Sequence, residues 1–369
     1  MIDAVKDKAT KKILPYVKEI ENGTIKAPIS LHILVTDWCV NACNMCGHWK
    51  TNNKKAMPLE TLKKIWQEMN ENHGESICLT GGDPVRHPDF NDILRLPRNF
   101  DLGFVNTGNY QKDFDWDLLH GIRWVRYSID SLDDGIYKTI RARKNLWSEI
   151  IPNIRKSKKY VKEIGINFTI QNINAHEVKD IIQFTVNEGL YRLILYPMHG
   201  DAVLGLTKEQ EAQLLQDLIE TKNVWSQIPE NNCQFLIDTL EQSVEDEERS
   251  VRELAFNLEK HPCMINKIHL SIGSDGVVGP CEVIMDDTSA YGLRDMWIKY
   301  THDKDFNYTE IKNPEIIHGL GNVNDESLIE IWKRHFNDSF RSDKCKICWS
   351  RYQPIINTFH ESRGKKTFI

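Results

Sequence analysis

The sequence lacks both a long apolar run and an excess of positive charge. No stretch of roughly 20 apolar residues, the length that a membrane-spanning helix needs, occurs among its 369 residues. The first residues also lack the apolar segment and cleavage site of a signal peptide. Asp and Glu number 53 against 47 Lys and Arg, so the net charge of -6 disfavours phosphate-backbone binding. We therefore expect a cytoplasmic protein, with neither a membrane nor nucleic acid as its main partner.

Internal repeats and low-complexity segments are also absent, whereas apolar residues are plentiful. Hydrophobic residues make up 40% of the chain and charged residues 27%, as in ordinary globular proteins. A chain of this length usually exceeds one hydrophobic core, so a large domain and a smaller one are expected. The predicted divisions are a helical N-terminal extension (1–27), an α/β domain (28–205), a helical connector (206–260) and a small C-terminal domain (261–369).

Short apolar segments alternate with longer helical stretches from residue 30 to residue 198. Such alternation predicts parallel strands joined by right-handed helical crossovers. Periodicity does not decide between an open sheet and a barrel. The predicted strands are 31–35, 76–79, 103–105, 124–129, 165–170 and 193–196.

Three of the nine cysteines, Cys39, Cys43 and Cys46, follow the first predicted strand with C-x3-C-x2-C spacing. A reducing cytosol disfavours disulfides, so metal binding or catalysis is the better interpretation. Three soft thiolates on one loop suit three corners of a 4Fe–4S cluster, whereas structural zinc usually takes four ligands. The fourth iron could then chelate a small molecule. A three-cysteine zinc site and a triplet without metal are the alternatives.

This spacing and placement resemble the radical S-adenosylmethionine (SAM) superfamily, whose fold is a partial (β/α)6 TIM barrel. The resemblance implies that Cys39, Cys43 and Cys46 bind the cluster, while the methionyl amine and carboxylate of SAM occupy the fourth iron. Reduction would then release a 5′-deoxyadenosyl radical. A flavodoxin- or ferredoxin-type electron donor is implied as a partner. Met45 stands where the family more often has an aromatic residue.

The second strand ends in a glycine-rich turn that contains Gly81, Gly82 and Asp83. Glycines there let the backbone approach a ligand closely. The turn resembles the family's Gly-Gly-Glu-Pro, which contacts the SAM amino group. Because Asp83 replaces the Glu, the contact could pass to the glycine backbone or to a water molecule. A plain strand-ending turn is the alternative.

Further candidates follow the later strands, since the carboxyl ends of parallel strands share one edge. Asn106 lies in a turn similar to the family's Thr-Asn-Gly. By resemblance, Ser128 would contact the SAM carboxylate or ribose, and Asp130 would lie at the rim of the substrate pocket. Arg141 would pair with the SAM carboxylate, with an exposed arginine as the alternative. Met198 would stack on adenine or pack in the core.

A second cysteine group follows residue 261. Cys263 and Cys281 flank a predicted β-hairpin, which brings its two ends together. Cys345 and Cys348 form a C-x2-C pair after a helix predicted near 326–340. A four-cysteine zinc ribbon is the alternative to a cluster.

Residues 261–349 closely resemble the Twitch domain, the shortened form of the SPASM auxiliary-cluster domain. The C-x12-G-x4-C hairpin, Gly-Asn-Val, Ser-Leu-x-Glu-Ile-Trp and C-x2-C occur in the expected order. The resemblance implies a small α+β domain with one auxiliary 4Fe–4S cluster, because no cysteine follows Cys348. Four thiolate ligands, as in the aminocyclitol dehydrogenase branch, would keep the substrate off that cluster.

Two residues are candidates for proton or hydrogen transfer. Cys233 could return a hydrogen atom, as thiols do in radical epimerases, although a structural role is favoured. His199, with Asp201, could act as a base, with a solvated loop as the alternative.

The expected net reaction is oxidation of a small polar substrate, such as a sugar or aminocyclitol, with the second electron passing to the auxiliary cluster. The 28 or so residues before the barrel are too few for the leader-binding domain of many peptide-modifying relatives. The alternatives are an epimerase, a peptide-modifying enzyme, and an iron–sulfur electron carrier or sensor. A zinc-binding structural protein also stays open.

Overall fold

The computed structural model describes residues 14–46, 54–198, 203–245, 265–280 and 319–337. These residues form an α/β fold around one ten-stranded sheet with the order β10-β9-β8-β1-β2-β3-β4-β5-β6-β7. The strands are β1 (Ser30–Thr36), β2 (Ser76–Gly81), β3 (Asp101–Asn106), β4 (Trp124–Ser128), β5 (Glu163–Ile170), β6 (Arg192–Pro197), β7 (Glu230–Asn231), β8 (His269–Ile272), β9 (Val277–Gly279) and β10 (Gly321–Asn322).

The first seven strands pair in parallel and in chain order. The six predicted strands are thereby confirmed as β1 to β6. Since β7 and β10 lie at opposite edges, the described strands form an open sheet, not a closed barrel.

The predicted hairpin is also confirmed, as β8 and β9 pair antiparallel. The structure adds that β8 pairs in parallel with β1, so the hairpin extends the main sheet.

Helices connect the strands and flank the sheet. They are α1 (Val17–Asn22), α2 (Leu59–Glu71), α3 (Phe90–Arg95), α4 (Asp134–Arg141), α5 (Ile151–Ser157), α6 (Val178–Asn187), α7 (Lys208–Glu220), α8 (Lys222–Trp225), α9 (Cys233–Glu245) and α10 (Leu328–His335). In α2, the residues Leu62, Ile65, Trp66 and Met69 recur at helical spacing, and all four are buried. No helix of the described residues is long and apolar enough to cross a membrane.

The central strands are buried on both faces, as expected for a parallel sheet covered by helices. Ile33, Val35, Phe104 and Ile166 have no exposed surface. Burying each such side chain contributes about 1.5–3 kcal/mol to folding. This core fixes the strand ends from which the functional loops emerge.

The C-terminal helix α10 is bound to α2 through Glu68. One carboxylate oxygen of Glu68 accepts hydrogen bonds from the Ser327 hydroxyl and the Ile329 N–H, both at 2.9 Å. The indole N–H of Trp332 donates to the Asn266 carbonyl at 3.0 Å. The described C-terminal elements are therefore packed against the main sheet and its helices.

Candidate functional site

The segment that carries the first three cysteines, residues 37–46, begins where β1 ends; it is called the cysteine loop below. The carboxyl ends of β2 to β6 lie at the same edge of the sheet, because these strands run parallel to β1. The turn after β2, the segment after β3 and the segment after β4 therefore surround the cysteine loop. This edge is where enzymes with parallel sheets place their chemistry.

The glycine turn after β2 supports the backbone of the cysteine loop. Gly81 has φ +130°, a conformation that L side chains rarely adopt. A Cβ on Gly82 would lie 2.3 Å from the Asp37 carbonyl oxygen. The Asp83 N–H donates to the Trp38 carbonyl at 2.9 Å. The close approach that the glycines allow is thus to the cysteine loop itself.

The three thiols of the loop differ in exposure. Cys43 is buried, with 6% exposed, whereas Cys39 and Cys46 are partly exposed. Burial raises the pKa of the Cys39 thiol, and the nearby Asp83 carboxylate raises it further. Burial likewise raises the pKa of Cys43, against the opposing charge of Arg141. Coordination to a metal deprotonates such a thiol outright, because the metal's positive charge stabilises the thiolate in place of the water that burial removes.

Within the described ranges, no three Cys, His, Asp or Glu side chains are already gathered in metal-binding geometry. The three thiols share one short loop, in which the Cys46 N–H donates to the Cys43 carbonyl at 3.1 Å. Their soft thiolates match the ligands of an iron–sulfur cluster.

Asp83 is fully buried and faces the segment after β3. Its carboxylate accepts hydrogen bonds from the hydroxyl and the N–H of Thr107. Burial raises the pKa of Asp83 to about 7, although the two hydrogen bonds from Thr107 oppose this change. Its carboxylate is thus already held by Thr107.

Arg141 and Asp130 form a buried ion pair at the site, with Arg141 Nη2 2.5 Å from Asp130 Oδ2. Arg141 is 7% exposed and Asp130 is not exposed, so the alternative of an exposed arginine is wrong. Asp130 also accepts a hydrogen bond from the Thr169 N–H at 2.8 Å, and its place at the rim of a substrate pocket stays a prediction. Burial lowers the pKa of Arg141, but Asp130 and Cys43 raise it by more.

Arg141 also contacts a cysteine of the loop. Its Nη1 lies 3.5 Å from the Cys43 sulfur, within hydrogen-bond distance for sulfur. Asn44 of the same loop donates its N–H to the Ile140 carbonyl at 2.9 Å. The end of α4 is therefore bound directly to the cysteine loop.

The other predicted cofactor-binding residues also lie at the carboxyl edge of the sheet, but they differ in burial and in hydrogen bonding. Asn106 is buried and forms its own turn, accepting from the Gly108 N–H at 2.7 Å. Ser128 ends β4 and is partly exposed. Met198 follows β6 and is partly exposed, with its N–H donating to the Ile170 carbonyl at 2.8 Å.

Cys233 begins α9 and is fully buried in the hydrophobic core. Its N–H donates to the Asn231 side chain at 3.1 Å. The remaining predicted site residues lie outside the described residues: His199 with Asp201, and Cys263, Cys281, Cys345 and Cys348.

Sequence patterns missed an asparagine network beneath the cysteine loop. The Asn109 amide donates to the Thr107 hydroxyl at 2.8 Å and to Asn41 Oδ1 at 3.4 Å. Asn145 in turn donates to Asn109 Oδ1 at 2.6 Å. Two positions in the sequence could have indicated this network: Asn41 lies inside the cysteine motif, and Asn109 follows β3. The network links the loop to two later segments of the chain.

Among the described residues, several buried polar atoms around this edge have no hydrogen-bond partner. Buried polar groups in proteins are nearly always paired, so these atoms fit a site that holds a polar ligand. These atoms include Asp37 Oδ1, Asn41 Nδ2, Tyr137 Oη, Arg141 Nε, Asn145 Oδ1 and Asn167 Oδ1.

The β8–β9 turn also reaches the cysteine loop. Burial raises the pKa of Asp37 to about 6, and a hydrogen bond from Ser274 of that turn opposes the change. The C-terminal hairpin thus contacts the residue two positions before Cys39.

Two segments of the chain match known protein families, and both matches agree with this geometry. Residues 33–185 match the radical SAM superfamily, and residues 263–349 match the SPASM iron–sulfur cluster-binding domain. The chain is a radical SAM protein with a C-terminal SPASM domain. The two domains imply SAM and 4Fe–4S clusters as cofactors, including an auxiliary cluster. The thiols and unpaired polar atoms of the cysteine loop fit the SAM-binding cluster and its ligand.

Related sequences include enzymes with different reactions. A GTP 3′,8-cyclase from Nautilia profundicola is 25% identical over 162 residues, covering 42% of this chain and 51% of the relative. The sporulation killing factor maturation protein SkfB of Bacillus subtilis is 25% identical over 175 residues, covering 44% and 41%. The radical SAM chain thus spans about half the length of the relatives it matches.

Solved structures share the fold. SuiB from Streptococcus suis, bound to the precursor peptide SuiA, superposes with a TM-score of 0.56 at 14% identity, covering 82% of this chain and 71% of SuiB. The anSMEcpe enzyme with bound AdoMet and a Cp18Cys peptide gives 0.54 at 18% identity, covering 88% and 87%. Both likenesses support the α/β fold of the radical SAM chain.

Proposed function

We propose that this protein cleaves SAM reductively and uses the resulting radical to remove a hydrogen atom from a substrate. The observation that carries the proposal is the trio Cys39, Cys43 and Cys46 on one loop at the carboxyl edge of the sheet. When bound, the cluster supplies an electron to SAM and so generates a 5′-deoxyadenosyl radical.

The protein's own residues would hold the cluster and keep water away from it. The glycine turn supports the cysteine loop from below, and Asn41 joins it to Asn109. Cys43 is buried beside Arg141 and Asp130, so this side of the site is shielded from solvent. Shielding is needed because a reactive radical intermediate would otherwise be lost in side reactions with molecules that enter from solvent.

We further propose that the net reaction is oxidation of a small polar substrate, such as a sugar or aminocyclitol. A SPASM domain supplies an auxiliary cluster, which can accept the second electron of such an oxidation. The contact between Ser274 and Asp37 supports this, since it places the C-terminal hairpin against the cysteine loop.

The test is an anaerobic reconstitution followed by turnover. The wild-type protein should contain about eight iron and eight sulfide per chain, the content of two four-iron clusters. With SAM and dithionite it should produce 5′-deoxyadenosine, and a deuterated substrate should transfer deuterium to that product. The triple variant Cys39→Ala/Cys43→Ala/Cys46→Ala should retain about four iron and leave SAM intact. SAM cleavage by that variant would contradict the proposal.

Peptide modification is the second candidate. It is supported by the match to SkfB and by the fold shared with SuiB and anSMEcpe, both solved with peptides. Deuterium transfer from a labelled peptide, with none from labelled sugars or aminocyclitols, would favour it over the first candidate. An epimerase would need an accessible hydrogen donor, whereas Cys233 is buried in the core.

A further inference from the structure

The contact between Arg141 and Cys43 joins the ion pair to a cysteine of the cluster site. We propose that Arg141 hydrogen-bonds the Cys43 thiolate of the loaded enzyme and thereby raises the reduction potential of the SAM-binding cluster, with Asp130 positioning the guanidinium group. This inference rests on the proposed function, because it assumes that Cys43 ligates that cluster.

The geometry holds the guanidinium from two sides. Arg141 Nη2 lies 2.5 Å from the Asp130 carboxylate, and Nη1 lies 3.5 Å from the Cys43 sulfur. Asp130 is itself fixed, since its side chain accepts from the Thr169 N–H at 2.8 Å and its carbonyl accepts from the Asn174 amide at 2.5 Å. The planar fork of an arginine can serve both partners at once.

The backbone at the end of α4 keeps this arrangement in register with the cysteine loop. Ala142 has φ +56°, a left-handed conformation that ends the helix directly after Arg141. Arg143 then binds the outer side of the loop, with Nε and Nη2 donating to the Val40 carbonyl at 2.8 and 2.6 Å. Arg141 thus contacts the loop from inside, and Arg143 contacts it from the exposed side.

Burial strengthens the electrostatic effect of the Arg141 guanidinium on the Cys43 sulfur. Arg141, Asp130 and Cys43 are each less than 10% exposed, with 7%, 0% and 6%. Charges interact more strongly away from water, and an arginine keeps its charge at any physiological pH. Arg143 is exposed, so solvent and salt screen its charge.

Reduction of an iron–sulfur cluster adds one negative charge, part of which lies on the sulfur ligands. A hydrogen bond to a ligating sulfur therefore stabilises the reduced form more than the oxidised form and raises the potential. Asp130 offsets part of the positive charge, but it leaves the directed Nη1–H bond to sulfur in place.

The resemblance to other radical SAM proteins gave Arg141 a different partner, the SAM carboxylate. In the structure, one terminal nitrogen faces Asp130 and the other faces Cys43. The two assignments predict different results when SAM is absent. Only the contact with the Cys43 sulfur affects the reduction potential of the cluster before SAM binds.

The experiment is a redox titration monitored by electron paramagnetic resonance, without SAM, on the full-length reconstituted protein. The signal of the auxiliary cluster is taken from the triple cysteine variant and subtracted. Arg141→Gln should lower the equilibrium constant for one-electron reduction about tenfold, which is a decrease of about 59 mV. Arg141→Lys, which keeps the charge, should show a smaller decrease. Arg143→Gln is the matched control and should change the potential least.

Labelled wild-type protein provides a measurement that does not depend on how variants fold. With guanidino-¹⁵N arginine, the reduced cluster should show a ¹⁵N coupling in pulsed resonance spectra recorded without SAM. No such coupling in the wild type would overturn the inference. An unchanged potential in Arg141→Gln, together with weaker SAM binding, would also overturn it in favour of the carboxylate assignment. Failure of the wild type to take up iron would instead overturn the proposed function.

Discussion

At the scale of single residues, His87 shows how burial fixes a protonation state near the site. Its Nε2 faces the Met57 carbonyl at 2.8 Å, and its Nδ1 accepts from the Asp89 N–H at 3.0 Å. Nδ1 must therefore carry a lone pair, and the neutral tautomer protonated at Nε2 fits both contacts. Burial lowers the pKa of His87, although the bond to Met57 opposes this.

The lowered pKa of His87 predicts a loss of stability in acid. The unfolded chain takes up a proton near pH 6.5, whereas the folded chain resists it until lower pH. The stability that His87 contributes is present above the unfolded pKa and is lost as pH falls towards the folded pKa. Urea denaturation from pH 7.5 to about 5.5 should show a steeper decline for wild type than for His87→Gln. Parallel profiles would contradict this.

Gly82 allows a second prediction at this scale. In Gly82→Ala the new Cβ would meet the Asp37 backbone at 2.3 Å, so the cysteine loop has to move. We expect bound iron to fall from about eight towards four per chain, since only the first cluster depends on this loop. Gly189→Ala is the control, because Gly189 has φ +60° but nothing within 4 Å of its Cβ position. Equal iron contents in the two variants would count against a supporting role for Gly82.

At the scale of elements, helix α4 has a capped N-terminus, and its C-terminal end contacts the cysteine loop. The Asp133 carboxylate accepts hydrogen bonds from the N–H groups of Gly135 and Ile136, at 2.7 and 2.8 Å. Asp133→Ala should lower the free energy of unfolding by about 1 kcal/mol. Asp133→Asn preserves an N-cap acceptor and should stay close to wild type in urea denaturation. An Asp133→Ala variant as stable as wild type would show that the cap contributes nothing.

At the scale of the whole molecule, helix α10 of the C-terminal part is bound to α2 through polar contacts of Glu68. Glu68 of α2 accepts from Ser327 and from the Ile329 N–H, and so caps α10 from another part of the chain. Glu68→Ala should increase hydrogen–deuterium exchange across 328–335 more than across 59–71. Glu71→Ala is the control, since the Glu71 carboxylate accepts a hydrogen bond from Gln67 of its own helix, at 2.8 Å. Unchanged exchange in α10 would argue that apolar packing alone holds it.

Much of the molecule was predictable from local patterns. Strands β1 to β6 could be located because buried apolar segments and helical spacing repeat along the chain. The cysteine triad and the glycine turn could be recognised because each lies within a few consecutive residues. The hairpin β8–β9 was predictable for the same reason, since its turn and both strands are adjacent in sequence.

The sequence by itself determined where strands β1 to β6 lie, the cysteine motif and the kind of metal that the motif suits. Only the tertiary structure decided the partners that are distant along the chain. Arg141 meets Cys43 across 98 positions, and His269 of β8 joins Ser30 of β1 across 239. Such contacts depend on how the strands and helices pack, and packing is set by the whole hydrophobic core, not by neighbouring residues.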